Sequence, residues 1–303
     1  MKTLLLIDAN SLIHRCFHAL PPLTNDEGQS TGALYGLSSI LIKIFSNQPD
    51  KNNNLLFTKT PDFMAAFFDR PEPTFRQKVF KEYKSQRPRA PLELIFQIKE
   101  ARHLFEKFKI KTFELAGFEA DDLIATTVSK FKNEPDLKII ILTSDLDTLQ
   151  LVENNKIIVQ ALKKGVSETL IYNEETVKKH YGIFPHQVRD YKSLVGDVSD
   201  NIPGVKGVGP KTASFILQKY NNLKNFLKSG HEEKFYPKIF ESSNQIFLTK
   251  MLVSLRNDAE IPVKNIQDLT GSNISRTELI PYFENLGFQS LIKRIKKNQP
   301  TLI

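Results

Sequence analysis

IIILTSDLD, residues 139–147, is an apolar run of strand length that breaks into acid at Asp145 and Asp147. Two other stretches are built the same way: LLLID (residues 4–8) ends at Asp8, and MAAFFD (residues 64–69) ends at Asp69. Short apolar runs closed by polar residues read as buried parallel strands. In an open α/β sheet the side chains at the carboxyl ends of such strands project into the ligand crevice. Further acids come in tight groups, Glu119 with Asp121 and Asp122, and Asp197 with Asp200. Carboxylates converging there repel one another unless hard cations lie between them. The reading is a divalent-metal site made by Asp8, Asp69, Glu119, Asp121, Asp122, Asp145, Asp147, Asp197 and Asp200.

The rest of the chain is basic. Its 303 residues carry 42 Lys+Arg against 34 Asp+Glu, a net charge of +8. If the acids are gathered at a metal site, the exterior is more basic still, which favours a polyanionic partner and a phosphodiester substrate. A single cysteine, Cys16, excludes an intramolecular disulfide and a cysteine-based zinc site. The six histidines show no zinc-type spacing; His14 and His18 lie one helical turn apart and read as packing or surface residues. No apolar run approaches the roughly 18 residues of a membrane span. LLLI is cut short by Asp8, so it is a strand rather than the core of a signal peptide. The expectation is a cytoplasmic protein with no membrane partner.

Along the chain, strands are expected at 3–8, 63–69, 112–116 and 138–143, with a hairpin of 157–160 and 168–172 about a turn at Lys163–Val166. Helical spacing is seen over 30–46, 92–108 and from Phe118 to Phe131, with another helix from about 145. Asn47 to Pro61 is polar, with three consecutive asparagines, and reads as an exposed loop. From about 174 the pattern is mostly helical, and it closes with an amphipathic helix and the basic run KRIKK, residues 293–297. The expected class is α/β with a mostly parallel sheet and a helical extension.

Each acidic group alone has a plain explanation as a helix cap or dipole partner; the weight comes from their sum. Phosphodiester hydrolysis by two metal ions roughly 3.5–4 Å apart accounts for the set. Magnesium suits oxygen-only ligation. PGVKGVGPKTA, residues 203–213, fails the phosphate-loop pattern because Pro210 follows Gly209 where a lysine is required. It reads as a hairpin between helices in which Gly204, Gly207 and Gly209 let backbone N–H groups approach a nucleic-acid phosphate, beside Lys206 and Lys211. The alternative is an ordinary glycine-rich connection. Arg76, Lys78, Lys81, Lys84, Arg87 and Arg89 are interleaved with Phe75, Phe80 and Tyr83. Such a run is most often a solvated helix face, but it also suits a single strand held by stacking and phosphate pairing.

LLLIDANSLIHRCFHALPPL, TGALYGL, FFDRPEPTFRQKVFKEYKSQRP, GFEADDLIAT, LTSDLDTLQLV and LVGDVSDNIPGVKGVGPKTA follow one another in this order. Together they resemble the 5′-nuclease family, which holds the 5′→3′ exonuclease domain of bacterial DNA polymerase I and the flap endonucleases. The similarity runs from residue 3 to about 296. It implies a PIN-like core over 1–173 with a helical arch at about 70–108. It also implies a helical region over 174–303 that contains a helix–three-turn–helix element at about 193–220. Asp8, Asp69, Glu119, Asp121 and Asp122 match acids associated with one metal, and Asp145, Asp147, Asp197 and Asp200 those of the second. Arg76, Lys84 and Arg87 match arch positions that handle the scissile phosphate and the threaded 5′ strand. Tyr83 and the stretch Gly204, Val205, Lys206, Gly207, Val208, Gly209, Lys211 and Thr212 are the implied DNA contacts.

The resemblance implies two Mg2+ ions, with Mn2+ able to substitute, and a K+ ion at the helix–three-turn–helix. The implied substrates are branched, nicked or 5′-flapped duplex DNA and the 5′ ends of RNA primers, in primer removal and repair alongside a DNA polymerase. Two departures stand out: a long Asn47–Pro61 loop, and a chain that closes after KRIKKNQPTLI without polymerase or proofreading segments, as in a stand-alone nuclease. Some stand-alone relatives lack acids of the second site; all are present here. The competing readings are a non-catalytic DNA-binding protein on the same fold, disfavoured by the cost of clustered carboxylates without metal, and a ribonuclease of the wider PIN-like group, disfavoured by the hairpin.

Overall fold

The structure, a computed structural model, describes residues 1–46, 59–164, 168–271 and 274–297. Six strands form one sheet: β1 (Lys2–Asp8), β2 (Phe63–Phe67), β3 (Lys111–Phe113), β4 (Leu137–Thr143), β5 (Ile157–Lys164) and β6 (Glu168–Tyr172), in the order β3-β2-β1-β4-β5-β6. All pairs are parallel except β5 with β6, the expected hairpin. Its turn, at 165–167, lies outside the described residues, as does the asparagine-rich stretch 47–58.

Side chains alternate across a strand, so each strand feeds two cores. Leu5, Ile7, Met64, Ala66, Ile140 and Leu142 face α1 (Ala9–Ala19), α2 (Gly32–Ser46) and α4 (Leu92–Lys107). Leu4, Leu6, Ala65, Phe67, Ile139 and Ile141 face α5 (Ala120–Phe131). Burial on both faces is why these strands read as unbroken apolar runs rather than as alternating ones. Cys16 is wholly buried against the first core, and burial pushes its thiol up to about 12, out of reach of thiolate chemistry.

Three findings refine the sequence reading. The helix expected from about 145 is a six-residue 3-10 turn, Leu146–Leu151. The region expected as an arch contains α3 (Phe75–Val79), which is only five residues, then a series of turns, then α4. The helical half begins with α6 (Glu174–Tyr181), α7 (Val188–Val195) and α8 (Pro210–Tyr220), followed by α9 (Leu223–Ser229), α10 (Tyr236–Glu241) and α11 (Ser243–Val253). Part of it then returns to the sheet. Val263, Ile266 and Leu269 join the core on the α5 side, and Thr270 bridges to Phe63. Leu279, Phe283, Leu291 and Ile295, from α12 (Arg276–Asn285) and α13 (Gln289–Lys297), complete the other core. Residues from both sides of the expected 173/174 boundary therefore share the two cores.

Candidate active site

Parallel pairing brings the carboxyl ends of β1, β2 and β4 to one edge of the sheet: Asp8 is level with Phe67, and Ile7 with Leu142. Asp69 and Asp145 each follow two residues beyond their strands. The chain runs outward in opposite directions from β1, to β2 and to β4, which opens the crevice of a topological switch point. A cleft of about 640 Å³ lies there, and eight of the nine predicted acids line it: Asp8, Asp69, Glu119, Asp121, Asp145, Asp147, Asp197 and Asp200.

Local structure explains how each is held. Asp8 caps α1, accepting from the Ser11 N–H at 3.0 Å and from the Thr143 hydroxyl at 2.8 Å. Burial, followed by the neighbouring Asp69, pushes its carboxyl up to about 7. Asp69 accepts from the Ala120 N–H at 2.7 Å at the start of α5, yet burial still raises its carboxyl. Asp121 is raised well above the usual range by burial, which outweighs Arg76, and its Oδ1 is buried with no hydrogen-bond partner among the described residues. Asp145 caps the 3-10 turn through the Asp147 N–H at 2.8 Å and is raised, again chiefly by burial.

Cationic side chains stand between the acids. Lys84 Nζ lies 3.0 Å from Glu119 and 4.0 Å from Asp200, Arg87 pairs with Asp200, and Lys192 bridges Asp147 and Asp197. Although burial opposes it, Lys192 holds Asp197 below the usual carboxylate range. Lys84 and Arg87 thus stand in the cleft as expected. Lys192, Asn10, Ser11 and Thr143 were not singled out from the sequence, and nothing local to their motifs distinguishes them. His14 and His18 also line the cleft, on the exposed side of α1, rather than serving in packing.

Several predicted residues fall elsewhere. Asp122 is wholly buried and does not face the cleft. It accepts two hydrogen bonds from Arg76, at 2.7 and 2.8 Å, and one each from the Glu119 and Arg256 N–H groups. Arg76, 2 % exposed, also donates to the Leu252 and Ser254 carbonyls, so it fastens α3 to the end of α11 and does not line the cleft. Tyr83 is buried with its hydroxyl donating to Glu119 and Asp200, which leaves no ring face for a base. Phe75 packs beneath Arg76 and Arg256.

In the hairpin, Val205 and Val208 belong to a small core with Leu194, Ala213 and Ile216, and their N–H groups are taken by Leu194 and Val205 carbonyls. Lys206, Gly207, Gly209 and Lys211 are exposed and Thr212 is half-buried. Gly204 has a structural reason: a Cβ there would lie 2.3 Å from the Val195 carbonyl.

Among the described residues no three His, Cys, Asp or Glu side chains are grouped as a ready-made metal shell. The donor chemistry nonetheless fits a hard divalent cation. The cleft is oxygen-rich, several of its buried carboxyls are disfavoured as anions, and one Asp121 oxygen is left without a partner.

A mostly parallel sheet, buried on both faces, thus carries an acid cleft at its switch point, flanked by lysine and arginine and followed by a glycine hairpin between helices. Two family models account for most of the chain: the 5′-3′ exonuclease N-terminal resolvase-like domain over residues 3–182, and the 5′-3′ exonuclease C-terminal SAM fold over 183–277. The chain belongs to the 5′-3′ exonuclease family.

It is 35 % identical over 298 residues to a 5′-3′ exonuclease of Aquifex aeolicus, covering 98 % of this chain and 96 % of that one. It is 37 % identical over 297 residues to DNA polymerase I of Bacillus subtilis, covering 97 % of this chain but 32 % of the polymerase. The chain thus spans about a quarter to a third of the length of the polymerases it matches. Its fold is similar to that of the bacteriophage T5 D15 flap endonuclease in a pseudo-enzyme-product complex with DNA and metal ions: TM-score 0.66, 18 % identity, covering 98 % of this chain and 99 % of the other. No helix among the described residues is long and apolar enough to cross a membrane.

Proposed function

We propose that this protein is a divalent-metal-dependent 5′→3′ exonuclease and structure-specific 5′-flap endonuclease, acting on branched, nicked or flapped duplex DNA and on the 5′ ends of RNA primers. Its place is the cytoplasm, in primer removal and repair beside a DNA polymerase. The observation that carries this reading is the convergence of eight carboxylates with Lys84 and Arg87 in one cleft at the strand ends.

Asp8, Asp69, Glu119 and Asp121 would hold one cation, and Asp145, Asp147, Asp197 and Asp200 the other. Mg2+ fits the all-oxygen donor set, and Mn2+ would substitute. When bound, such ions supply Lewis-acid polarisation of the phosphodiester and of water. The chain's own residues do the rest. Lys84, kept charged by Glu119 and Asp200 against its burial, offers a fixed positive group to a phosphate oxygen. Arg87, half-exposed at the cleft mouth, offers a planar fork to the same backbone. Thr143 and Ser11 hold the Asp8 carboxylate oriented, and the Ala120 N–H does the same for Asp69.

Further along, Lys206 and Lys211 flank the exposed Gly207 and Gly209 and would grip duplex backbone irrespective of sequence, with a K+ ion at the hairpin. The proposed division is a nuclease core over 1–173 and a helical DNA-holding region after it. The test is incubation with a labelled 5′-flap duplex, in Mg2+ and separately in EDTA. Mg2+-dependent cuts near the flap junction are expected. Tight binding without cuts in any divalent metal would mean a DNA-binding protein on the same fold.

A further inference from the structure

The turn formed by residues 82–87 and the turn formed by 199–201 meet in a polar seam at the rim of the cleft. Asn201 supplies its centre. Its Nδ2 donates to the Glu82 carbonyl at 2.8 Å and to Ser85 Oγ at 3.2 Å, and its Oδ1 accepts from Gln86 Nε2 at 2.7 Å. Beside it the Lys84 N–H donates to the Asp200 carbonyl at 2.9 Å, and Arg87 Nε to the Ser199 carbonyl at 3.3 Å. We propose that Asn201 is a positioning residue, one that fixes Lys84 and Arg87 over the acid cleft by clamping these two turns together. The inference rests on the nuclease reading above and adds a residue to it.

Two features argue that the clamp is needed. Lys84 and Asn201 both sit at φ +57°, a left-handed conformation unfavourable for residues other than glycine and only partly eased for asparagine. Lysine has no local reason to adopt it, so surrounding contacts must hold it there. Second, the Arg87 side chain is 50 % exposed where it pairs with Asp200. An exposed ion pair is too weak to hold a long side chain in one place without further restraint. The Asn201 side chain itself touches none of the cleft carboxylates and does not line the cleft. The turn that carries it is closed by backbone bonds, Asn201 N–H to the Val198 carbonyl and the Asp197–Ile202 bridge, so its side chain is not required to form that turn.

Asn201→Gly separates the two roles, because glycine accepts φ +57° without strain while removing every seam bond of the side chain. In single-turnover cleavage of a 5′-flap duplex with Mg2+, this variant should be about 10- to 100-fold slower, with flap affinity in Ca2+ within about twofold of wild type. In a Lys84→Ala background the same change should cost at least about threefold less, because the group it positions is gone. Amide hydrogen exchange over residues 80–89 should quicken by about tenfold or more in Asn201→Gly without any cleavage being measured. Unchanged cleavage, equal losses in both backgrounds, or unchanged exchange at 80–89 would each overturn the clamp. A wild-type protein that does not cut would overturn the nuclease reading instead, and the exchange arm would still judge the seam.

Discussion

Arg76 and Asp122 form a two-pronged ion pair, Nη1 to Oδ2 at 2.7 Å and Nη2 to Oδ1 at 2.8 Å, with both side chains out of solvent. The resemblance puts both among the expected site residues, whereas neither lines the acid cleft. The pair joins α3 to the start of α5, and Arg76 also reaches the end of α11, so the acid-bearing helix, the basic segment and α11 are tied together at one point.

Removing Asp122 leaves a buried guanidinium without its anion. Asp122→Ala should destabilise the fold by about 3–5 kcal/mol, measured by denaturant unfolding, as expected when one partner of a buried pair is deleted. Normal stability combined with weakened Mg2+ binding would return Asp122 to the metal ligands.

Asp69 and Asp145 face the cleft and are not paired in this way. Asp69→Ala or Asp145→Ala should abolish flap cleavage with a much smaller loss of DNA binding, compared by single-turnover assay and by titration of labelled duplex. Unchanged turnover in either variant would defeat the metal assignment.

The raised carboxyls predict a pH dependence. Asp8 moves up to about 7, and Asp69, Asp121 and Asp145 are also raised, chiefly by burial. A carboxyl raised on folding contributes stability that is complete below its unfolded value, near 3.8, and is lost as pH rises through the folded value. Asp197 has the opposite sign, and its contribution is lost only on acidification below the usual carboxylate range. In EDTA, the raised carboxyls should therefore lower Tm as pH rises from about 4 to about 7, and Mg2+ should raise Tm more at the upper end. Equal Mg2+ stabilisation across that range would contradict the cluster's role.

Lys84 and Lys206 are expected to divide the labour. Lys84 sits among the acids, whereas Lys206 is exposed at the hairpin. Lys84→Ala should slow the cleavage step with little change in affinity. Lys206→Ala should weaken binding and reduce the slope of log affinity against log salt by about one. Indistinguishable effects in both assays would refute the division.

Two hairpin glycines should respond differently to alanine. At Gly204 a Cβ would meet the Val195 carbonyl and the Gly196 backbone, so Gly204→Ala should cost about 2–4 kcal/mol of stability. At Gly209 a Cβ would meet nothing within 4 Å, so Gly209→Ala should be nearly neutral for folding. If its backbone approaches a phosphate, that same variant should still lose DNA affinity. A strongly destabilised Gly209→Ala would show that the glycine serves packing.

Much of this molecule was legible residue by residue. Leu4–Ile7, Met64–Phe67 and Ile139–Leu142 read as buried strands because apolar runs so short and continuous, closed by polar residues, suit a strand covered on both faces. The acids that end them had to meet once the strands were parallel. The α5 segment and the helix–hairpin–helix declared themselves by apolar spacing and by glycine and proline positions. Those signals are local, since backbone periodicity and conformational preference act over a few residues.

Partner choice is not local. Asp121 and Asp122 are adjacent, yet one turns its carboxyl to the cleft and the other to Arg76, because successive helical residues point about 100° apart. Tyr83 and Lys84 are likewise neighbours, one with its ring buried and the other with its amine among the acids. Val205 and Val208 are core residues, while Lys206 and Gly207 between them are exposed. The sequence by itself determined the strands, the class of fold and the pool of acids. Only the tertiary structure decided which acids face the cleft, which cations stand between them, and that Asn201 reaches the turn carrying Lys84. Those outcomes depend on which distant surfaces meet and on burial that penalises every unpaired charge.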